Sequence, residues 1–223
     1  MAECLIDSTR TSPNFNRRKL PISMIVLHYT DIATSDEALR ILCDAQSGVS
    51  AHYLITPQGL CHTLVPLEMR AWHAGVSYWR GVEDVNSASI GIELQNHGAS
   101  GGYPPFAARQ IDAIQQLLQQ LTVQYSIAKE NIVAHQDIAP MRKIDPGPSF
   151  PWQQLAAKGL AMPTYRPDLC QGHYCDDQVI NALHHIGYDR NAIPDAIKAA
   201  FATRIGISLD RDDSAYICGN MAK

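Results

Sequence analysis

Two histidines and one aspartate, far apart in the chain, are the side chains best suited by type and position to bind a metal ion. His28 and His135 each end a short apolar run, so each imidazole is predicted to lie at the end of a β-strand. Asp145 lies in a loop that the following Pro146 stiffens. Two nitrogens and one carboxylate oxygen suit Zn²⁺ and leave its fourth position open for water. The sequence therefore predicts one catalytic zinc ion.

Each of these three residues also has an ordinary structural interpretation. His28 and His135 could be hydrogen-bonded histidines at strand ends, and Asp145 could be a turn aspartate. Taken singly, each is more often structural than metal-binding. The metal hypothesis therefore depends on the fold bringing the three side chains together.

Glu93 and Lys143 are two further charged residues whose orientation the sequence predicts. Residues 89–95 alternate apolar and polar side chains, so Glu93 points away from the apolar layer. Lys143 precedes Asp145 by two residues, on the same side of an extended segment, so its ammonium group could face the metal. The alternatives are a solvated glutamate and an ordinary surface lysine.

The segment 71–81 is rich in aromatic residues and glycine and contains the groups that a sugar-and-peptide groove would use. Trp72 and Trp79 offer aromatic faces, His73 offers hydrogen bonds, and Arg80 offers a fork for a carboxylate. We predict that these four residues bind substrate. Core packing by one or two of them is an equally good interpretation.

The elements that must position these residues follow from hydrophobic periodicity. Strands are predicted at 22–28, 50–55, 60–64, 89–95 and 132–135, and helices at 34–45, 107–125 and 151–160. The pattern indicates an α/β fold with a single mixed central β-sheet flanked by helices, followed by a small C-terminal helical segment. We predict an N-terminal arm at 1–20, a zinc-binding catalytic domain at 21–162 with a linker at 162–167, and a helical tail at 163–223.

Composition narrows the classes of partner. The chain has 223 residues, 46% of them hydrophobic and 18% charged, which is typical of a globular protein. A net charge of −4 provides no basic surface for nucleic acid. The longest early apolar block, at 24–27, is too short to span a membrane, and the N-terminus lacks the apolar stretch of a secretory signal. We expect a monomer, cytoplasmic as written, with the periplasm or cell envelope as the alternative.

The six cysteines are dispersed and are predicted to be reduced thiols. Cys170, His173 and Cys175 could bind a metal or form a disulfide, but four ligands at zinc-finger spacing are lacking. Reduced thiols in a turn are the preferred interpretation of that segment.

Six blocks of sequence, taken in order, carry a resemblance to a known family. They are Leu-His-Tyr-Thr at 27–30, Ser-Ala-His-Tyr at 50–53, Ala-Trp-His-Ala-Gly at 71–75, Ser-Ile-Gly-Ile-Glu at 89–93, His-Gln-Asp-Ile-Ala-Pro at 135–140 and Lys-Ile-Asp-Pro-Gly-Pro at 143–148. Their order and spacing resemble the type 2 N-acetylmuramoyl-L-alanine amidases, above all the bacterial peptidoglycan amidases of the AmpD and AmiD kind. The resemblance covers roughly residues 21–160.

This resemblance implies a zinc hydrolase of peptidoglycan or soluble muropeptides. Its bond would be the amide between N-acetylmuramic acid, or the 1,6-anhydro form, and L-alanine of the stem peptide, cut in cell-wall turnover or recycling. Matched residue by residue, His28, His135 and Asp145 fall on the zinc ligands, Glu93 on the catalytic glutamate and Lys143 on the catalytic lysine. His52 and His73 match family blocks outside the ligand positions, which implies packing or support of the ligands.

Two rival functions and the tail remain open. The same fold occurs in recognition proteins that bind peptidoglycan without cutting it, and the same residues would serve a phage-type lytic amidase or a hydrolase of another amide. The tail somewhat resembles the small helical peptidoglycan-binding domain that follows some of these amidases. Because it is too short to bury a core of its own, we expect it to dock on the catalytic domain and to be dispensable for the chemistry.

Overall fold

A computed structural model describes residues 6–162 and 176–206 of the chain. Its strands are β1 (Ile6–Asp7), β2 (Phe15–Arg17), β3 (Met24–Tyr29), β4 (Tyr53–Ile55), β5 (Cys61–Thr63), β6 (Met69–Ala71), β7 (Ser89–Leu94) and β8 (Ile132–Ala134). Its helices are α1 (Ser35–Leu42), α2 (Val85–Ala88), α3 (Ala108–Tyr125), α4 (His135–Ile138), α5 (Trp152–Ala157), α6 (Asp176–Ile186) and α7 (Pro194–Ile205). Short 3₁₀ turns occupy Ala99–Gly101 and Lys129–Asn131.

A six-stranded mixed sheet in the order β1-β5-β4-β7-β3-β8 forms the centre of the molecule. β3 lies between β7 and β8 and is parallel to both, while β4 and β5 form the antiparallel hairpin. All six residues of β3 are buried, as expected for a strand covered on both faces. Its register with β7 places Glu93 directly beside His28.

Two hydrophobic cores lie on opposite faces of the sheet. Ile25 and Leu27 of β3 pack into a core with α3 and α5, whereas Met24 and Val26 pack into a second core with α6 and α7. Side chains alternate between the faces of a strand, so His28 lies on the same face as Met24 and Val26. The metal-binding candidates therefore lie on the side of the sheet that the C-terminal helices cover.

The predicted fold class is confirmed, with one addition. The central sheet is mixed and flanked by helices, but β2 and β6 form a second, two-stranded antiparallel sheet. The strongly periodic elements lie close to their predicted positions, including α1, whose N-cap Thr34 accepts a hydrogen bond from the backbone of Glu37. One boundary is wrong. β8 ends at Ala134, and His135 begins the short helix α4 instead of ending the strand.

Residues 6–20 are built into the domain and do not form a separate arm. β1 pairs with β5 in the main sheet, and β2 pairs with β6. The guanidinium of Arg18 donates to several backbone carbonyls, among them those of Met69 at 2.8 Å and Ser89 at 2.9 Å. These residues are held by long-range pairings, so their order leaves no hydrophobic periodicity in the sequence.

The described part of the helical tail, residues 176–206, packs against the sheet, as predicted. Val179 and Leu183 of α6 and Ile197, Phe201 and Ile205 of α7 are buried in the second core. The linker predicted at 162–167 lies outside the described residues except for Met162, as do Cys4, Cys170, His173, Cys175 and Cys218. In the described part of the chain, Cys43 carries a half-buried free thiol.

Among the described residues, no helix combines the length and the apolar character that crossing a bilayer requires.

Candidate metal centre

His28, His135 and Asp145 converge on one point. Nδ1 of His28 lies 3.0 Å from Nδ1 of His135 and 2.9 Å from Oδ2 of Asp145, and the same oxygen lies 3.1 Å from Nδ1 of His135. All three residues are buried. Among the described residues they are the only group of histidine, cysteine and acidic side chains with ligand atoms close enough to share a metal ion.

A chain of hydrogen bonds determines which nitrogen of His28 carries the proton. The Ser89 hydroxyl donates to the carbonyl of Val85 at 2.6 Å, so its oxygen accepts from Nε2–H of His73 at 3.2 Å. Nδ1 of the neutral His73 ring is then an acceptor, and Nε2–H of His28 donates to it at 3.1 Å. Nδ1 of His28 consequently presents a lone pair to the other two residues.

His135 is oriented in the same sense by a backbone carbonyl. Its Nε2 lies 3.1 Å from the carbonyl oxygen of Ala74, which can only accept, so Nε2 carries a proton and Nδ1 is the nitrogen left for binding a metal. The backbone N–H of Gln136 donates to the carbonyl of Asp145 at 3.0 Å, which ties the loop of the third residue to the helix of the second. Such contacts of ligand histidines fix both ring orientation and tautomer.

The chemistry of this group fits a zinc ion. Two nitrogen lone pairs and a carboxylate oxygen meet without a hydrogen atom among them, an arrangement that a cation stabilises and that is otherwise repulsive. Ligands of tetrahedral zinc at about 2.0–2.2 Å from the metal are roughly 3.3 Å apart, close to the separations found here. Three protein ligands would leave one position open, as in catalytic zinc sites.

The electrostatic environment favours the forms of these residues that bind metal. Burial, together with the neighbouring His135, lowers the pKa of His28 to about 4, so its ring is neutral at pH 7. Burial alone would raise the pKa of Asp145, but a proton shared with His135 or His28 in the metal-free site holds that pKa well below its usual range, and a bound cation would act in the same direction. A neutral imidazole and an ionised carboxylate are the forms that bind metal.

Glu93 faces this group from the neighbouring strand. Its side chain is half-buried, and within the described part of the chain its Oε2 atom is buried with no hydrogen-bond partner. Burial raises the pKa of Glu93 well above its ordinary value, with a further contribution from Asp145 and an opposing one from Lys143. An unpartnered carboxyl with raised basicity is suited to accept and return a proton near neutral pH.

A cavity of about 380 Å³ opens over these residues. Lys143 and Glu93 both line it, and Lys143 is half-buried. Its other walls come from the segment after β3, the loop before β4, the segment after β6 and the loop before Asp145. The fold therefore brings all five residues predicted for metal binding and catalysis to one cavity.

The four predicted substrate contacts divide into two pairs. Trp72 and His73 line the cavity, although His73 is buried and its two nitrogens contact His28 and Ser89, so it supports His28. Trp79 is a correction, because it is fully buried and packs edge-on against Tyr188. Arg80 is exposed and does not line this cavity, and its backbone N–H donates to the carbonyl of Gly187 in the tail. Its role in substrate binding stays a prediction.

Two asparagines that organise the site have no recognisable signal in the sequence. Asn86 accepts hydrogen bonds from the backbone N–H groups of His73 and Ala74, at 3.0 and 2.8 Å. Asn16 accepts from the indole of Trp72 at 3.2 Å. These asparagines act over long sequence separations, so only the folded chain reveals their roles.

Comparison with known proteins agrees with this geometry. The family model described as N-acetylmuramoyl-L-alanine amidase matches residues 18–148. The chain is 46% identical over 151 residues to N-acetylmuramoyl-L-alanine amidase AmiD of Escherichia coli K12, an alignment covering 62% of this chain and 54% of AmiD. It is 36% identical over 163 residues to 1,6-anhydro-N-acetylmuramyl-L-alanine amidase AmpD of Haemophilus influenzae, covering 64% of this chain and 86% of AmpD. The matched region thus spans about half the length of AmiD.

Solved structures extend the similarity. E. coli AmiD, solved with the substrate anhydro-N-acetylmuramic acid-L-Ala-D-γ-Glu-L-Lys, superposes with a TM-score of 0.77 and 32% identity over 96% of this chain and 91% of that chain. AmpDh3 of Pseudomonas aeruginosa, solved with an anhydromuramic pentapeptide, superposes with a TM-score of 0.77 and 28% identity. That superposition covers 95% of this chain and 94% of AmpDh3. Since the family model also matches more than half of the sequence, the chain belongs to the N-acetylmuramoyl-L-alanine amidase family.

Proposed function

We propose that this protein is a zinc-dependent amidase that hydrolyses the bond between N-acetylmuramic acid, or its 1,6-anhydro form, and L-alanine of peptidoglycan stem peptides. One observation carries the proposal. Nδ1 of His28, Nδ1 of His135 and Oδ2 of Asp145 lie within 3.1 Å of one another beside a cavity that Glu93 also lines, and Oε2 of Glu93 has no hydrogen-bond partner among the described residues. A metal-binding group beside a free acid–base group is the arrangement that amide hydrolysis requires.

His28, His135 and Asp145 would hold the zinc ion. A zinc ion bound by them would polarise the scissile carbonyl and make a water molecule acidic enough to react at neutral pH. The protein's part is to hold the ligand atoms in place. The chain from Ser89 through His73 to His28 performs this for one ligand, and the carbonyl of Ala74 performs it for another.

Glu93 would move the proton. As the base, its carboxylate takes a proton from the attacking water, and as the acid it delivers that proton to the nitrogen of the departing L-alanine. Burial supports the role of base, because it raises the pKa of Glu93 and so makes the carboxylate a stronger base. The free Oε2 atom needs to break no existing hydrogen bond with the described residues before it receives the proton.

Lys143 would stabilise the negative charge that develops on the carbonyl oxygen. Lys143 lines the cavity together with Asp145 and Glu93. A cationic group at this position stabilises the tetrahedral transition state more than the planar substrate. Its effect should therefore appear mainly in kcat.

The substrate class is proposed from the cavity and from the relatives. The AmiD and AmpDh3 structures hold anhydromuropeptides, and the similar chain here has a cavity with the half-buried indole of Trp72 in its wall. An indole face suits a sugar ring, and Asn16 holds this one in place. All groups of the site come from a single chain, so we propose that a monomer is active.

Product analysis tests this function. The purified protein is incubated with a defined 1,6-anhydro-muropeptide, with and without a chelator, and the products are identified by mass spectrometry. We expect two products, a sugar with a free lactyl carboxyl group and a peptide with a free L-alanine amine, formed only without chelator. Cleavage at another bond, or equal cleavage with chelator, would contradict the proposal.

The rival functions give different results in the same assay. A non-catalytic recognition protein would bind the muropeptide and leave it intact. A lytic amidase of the phage type would prefer intact sacculi to the soluble muropeptide, so a parallel reaction with sacculi distinguishes it.

A further inference from the structure

Asp137 is a buried carboxylate next to the metal-binding group. It lies two residues after His135 in α4, and its side chain has no solvent exposure. Its Oδ2 atom accepts the backbone N–H of Ala134 at 2.8 Å, on the other side of His135. Asp137 therefore fixes the backbone that carries His135.

Two residues of the tail supply the partners of this carboxylate. The hydroxyl of Tyr188 donates to Oδ1 at 2.7 Å, and the guanidinium of Arg204 forms an ion pair with Oδ2. Burial, with the adjacent charge of Asp137, raises the pKa of Tyr188 well above its usual value, so the hydroxyl keeps the proton that it donates. Removing one partner of a buried ion pair leaves the other charge uncompensated.

Arg204 is itself held in one position. Its side chain is 2% exposed, its Nη2 donates to the carbonyl of Ile132 at 2.8 Å, and its guanidinium lies 4.0 Å from the centre of the Trp152 ring. It therefore joins α7 to β8, α4 and α5. Simple apolar docking of the tail would not require a buried arginine at this place.

Gln136 provides a second connection between the tail and the metal-binding group. Its Nε2 donates to the carbonyl of Ala200 in α7 at 3.1 Å, while its backbone N–H donates to the carbonyl of Asp145. Both residues that follow His135 are thus attached to α7 or to the turn before it. The two attachments use different atoms and different tail residues.

We propose that Tyr188 and Arg204, acting through Asp137, are positioning residues for the metal centre, and that the C-terminal helices are part of the catalytic unit. This inference rests on the proposed function, since it assumes that His135 binds zinc. Neither tail residue touches the ligand atoms. Each restrains the backbone from which His135 projects.

Two conservative variants and one control test this inference in the full-length protein. Tyr188→Phe removes one hydroxyl and keeps the ring, and Arg204→Lys keeps the charge but loses the forked contact with Asp137 and Ile132. Phe201→Leu is the control, because Phe201 packs against Tyr188 in the same core and its side chain has no polar group that could bond to Asp137. Zinc affinity is measured by competition with a chromophoric chelator, geometry by the visible spectrum of the cobalt-substituted protein, and folding by thermal melting.

We expect each of the two variants to bind zinc about tenfold more weakly than wild type, at the lower end of the effect of residues that support ligands, and to change the cobalt spectrum. The control should melt at a lower temperature with wild-type zinc affinity and spectrum. Unchanged zinc affinity and spectrum in both variants, or the same change in the control, would overturn the inference alone. Wild-type protein that binds no zinc would overturn the proposed function as well.

Discussion

At the scale of single residues, the site depends on which nitrogen of each histidine carries a proton. Ser89 and the carbonyl of Ala74 act on Nε2 of His73 and of His135, outside the metal-binding group, and thereby leave lone pairs inside it. The sequence predicts the ligand types, since histidines after strands and an aspartate before proline are visible there. It does not predict the tautomers, because these depend on partners that are distant in the chain.

Glu93→Gln should separate catalysis from metal binding. The amide keeps the size of the side chain but cannot accept a proton, so we expect a loss of roughly 10²-fold or more in kcat with zinc content unchanged.

Lys143→Ala should lower kcat more than it raises KM. Steady-state kinetics and elemental analysis check both, with the exposed Glu37→Gln on α1 as the control. Near wild-type turnover in either site variant would remove that residue from the mechanism.

The buried histidines make the metal-free protein sensitive to acid. Burial, with the charge of Arg18, lowers the pKa of His52 to about 3, while burial and His135 lower that of His28 to about 4. Below about pH 6.5 the unfolded chain binds protons that the folded chain excludes, so the free energy of unfolding falls as the pH falls toward 4. Each histidine contributes on the order of 3 kcal/mol across that window.

Glu93 has the opposite effect on stability, because its raised pKa favours the folded state at low pH. Three histidines with lowered pKa values, His28, His52 and His73, outnumber it, so we expect the net stability to fall. Urea unfolding of the chelated protein at about pH 7 and about pH 5 measures the balance. Equal free energies of unfolding at the two pH values would show that the histidines are not buried in neutral form.

At the scale of elements, β3 and β7 place two residues of the candidate site, His28 and Glu93, side by side. Their parallel register sets Glu93 opposite His28, and the alternation of β7 directs Ile90, Ile92 and Leu94 into the core. Long periodic elements such as these and α3 could be predicted from sequence. Four short elements could not be predicted, namely β1, β2, β6 and α2. Each has only two to four residues, which is too few to show a hydrophobic period, and each forms only through contacts with its partners.

Gly91→Ala tests the close packing between β7 and His73. A Cβ atom at Gly91 would lie 2.3–2.6 Å from ring atoms of His73, and β7 is held by strands on both sides, so the ring must move away from His28. We expect zinc affinity to fall about tenfold or more and stability to fall by about 1–3 kcal/mol. Gly159→Ala, where space is open but φ is +72°, should reduce stability alone. Wild-type zinc affinity in Gly91→Ala would contradict this role of the glycine.

At the scale of the whole molecule, the tail and the catalytic domain share a core and an ion pair. The sequence indicated two apolar helical stripes and therefore docking, but it did not indicate that Arg204 would reach Asp137, 67 positions away. Charge pairs at such separations leave no local pattern. The sequence led us to expect that the tail is dispensable for the chemistry. The contacts of the tail with Asp137 give a reason to expect the opposite.

Truncation after Pro163 should therefore damage the site. The shortened chain would lose the partners of Asp137 and expose Trp79 and Val133 from the second core. We expect lower thermal stability, weaker zinc binding and slower cleavage of a soluble muropeptide. The rate on that substrate, zinc content and pelleting with sacculi check this. A truncated protein that cleaves the soluble substrate at the full rate would restore the view of the tail as dispensable.

The most direct test of the account is reconstitution of metal-free protein with zinc. Zinc is added in steps to the chelated and desalted protein, and release of the L-alanyl peptide from a defined 1,6-anhydro-muropeptide is followed at each step. We expect the rate to rise in proportion to zinc, to level off at one zinc per chain, and to stay at background in His28→Ala, His135→Ala and Asp145→Ala. Full activity before zinc is added, or in any of these three variants, would contradict the zinc-dependent mechanism.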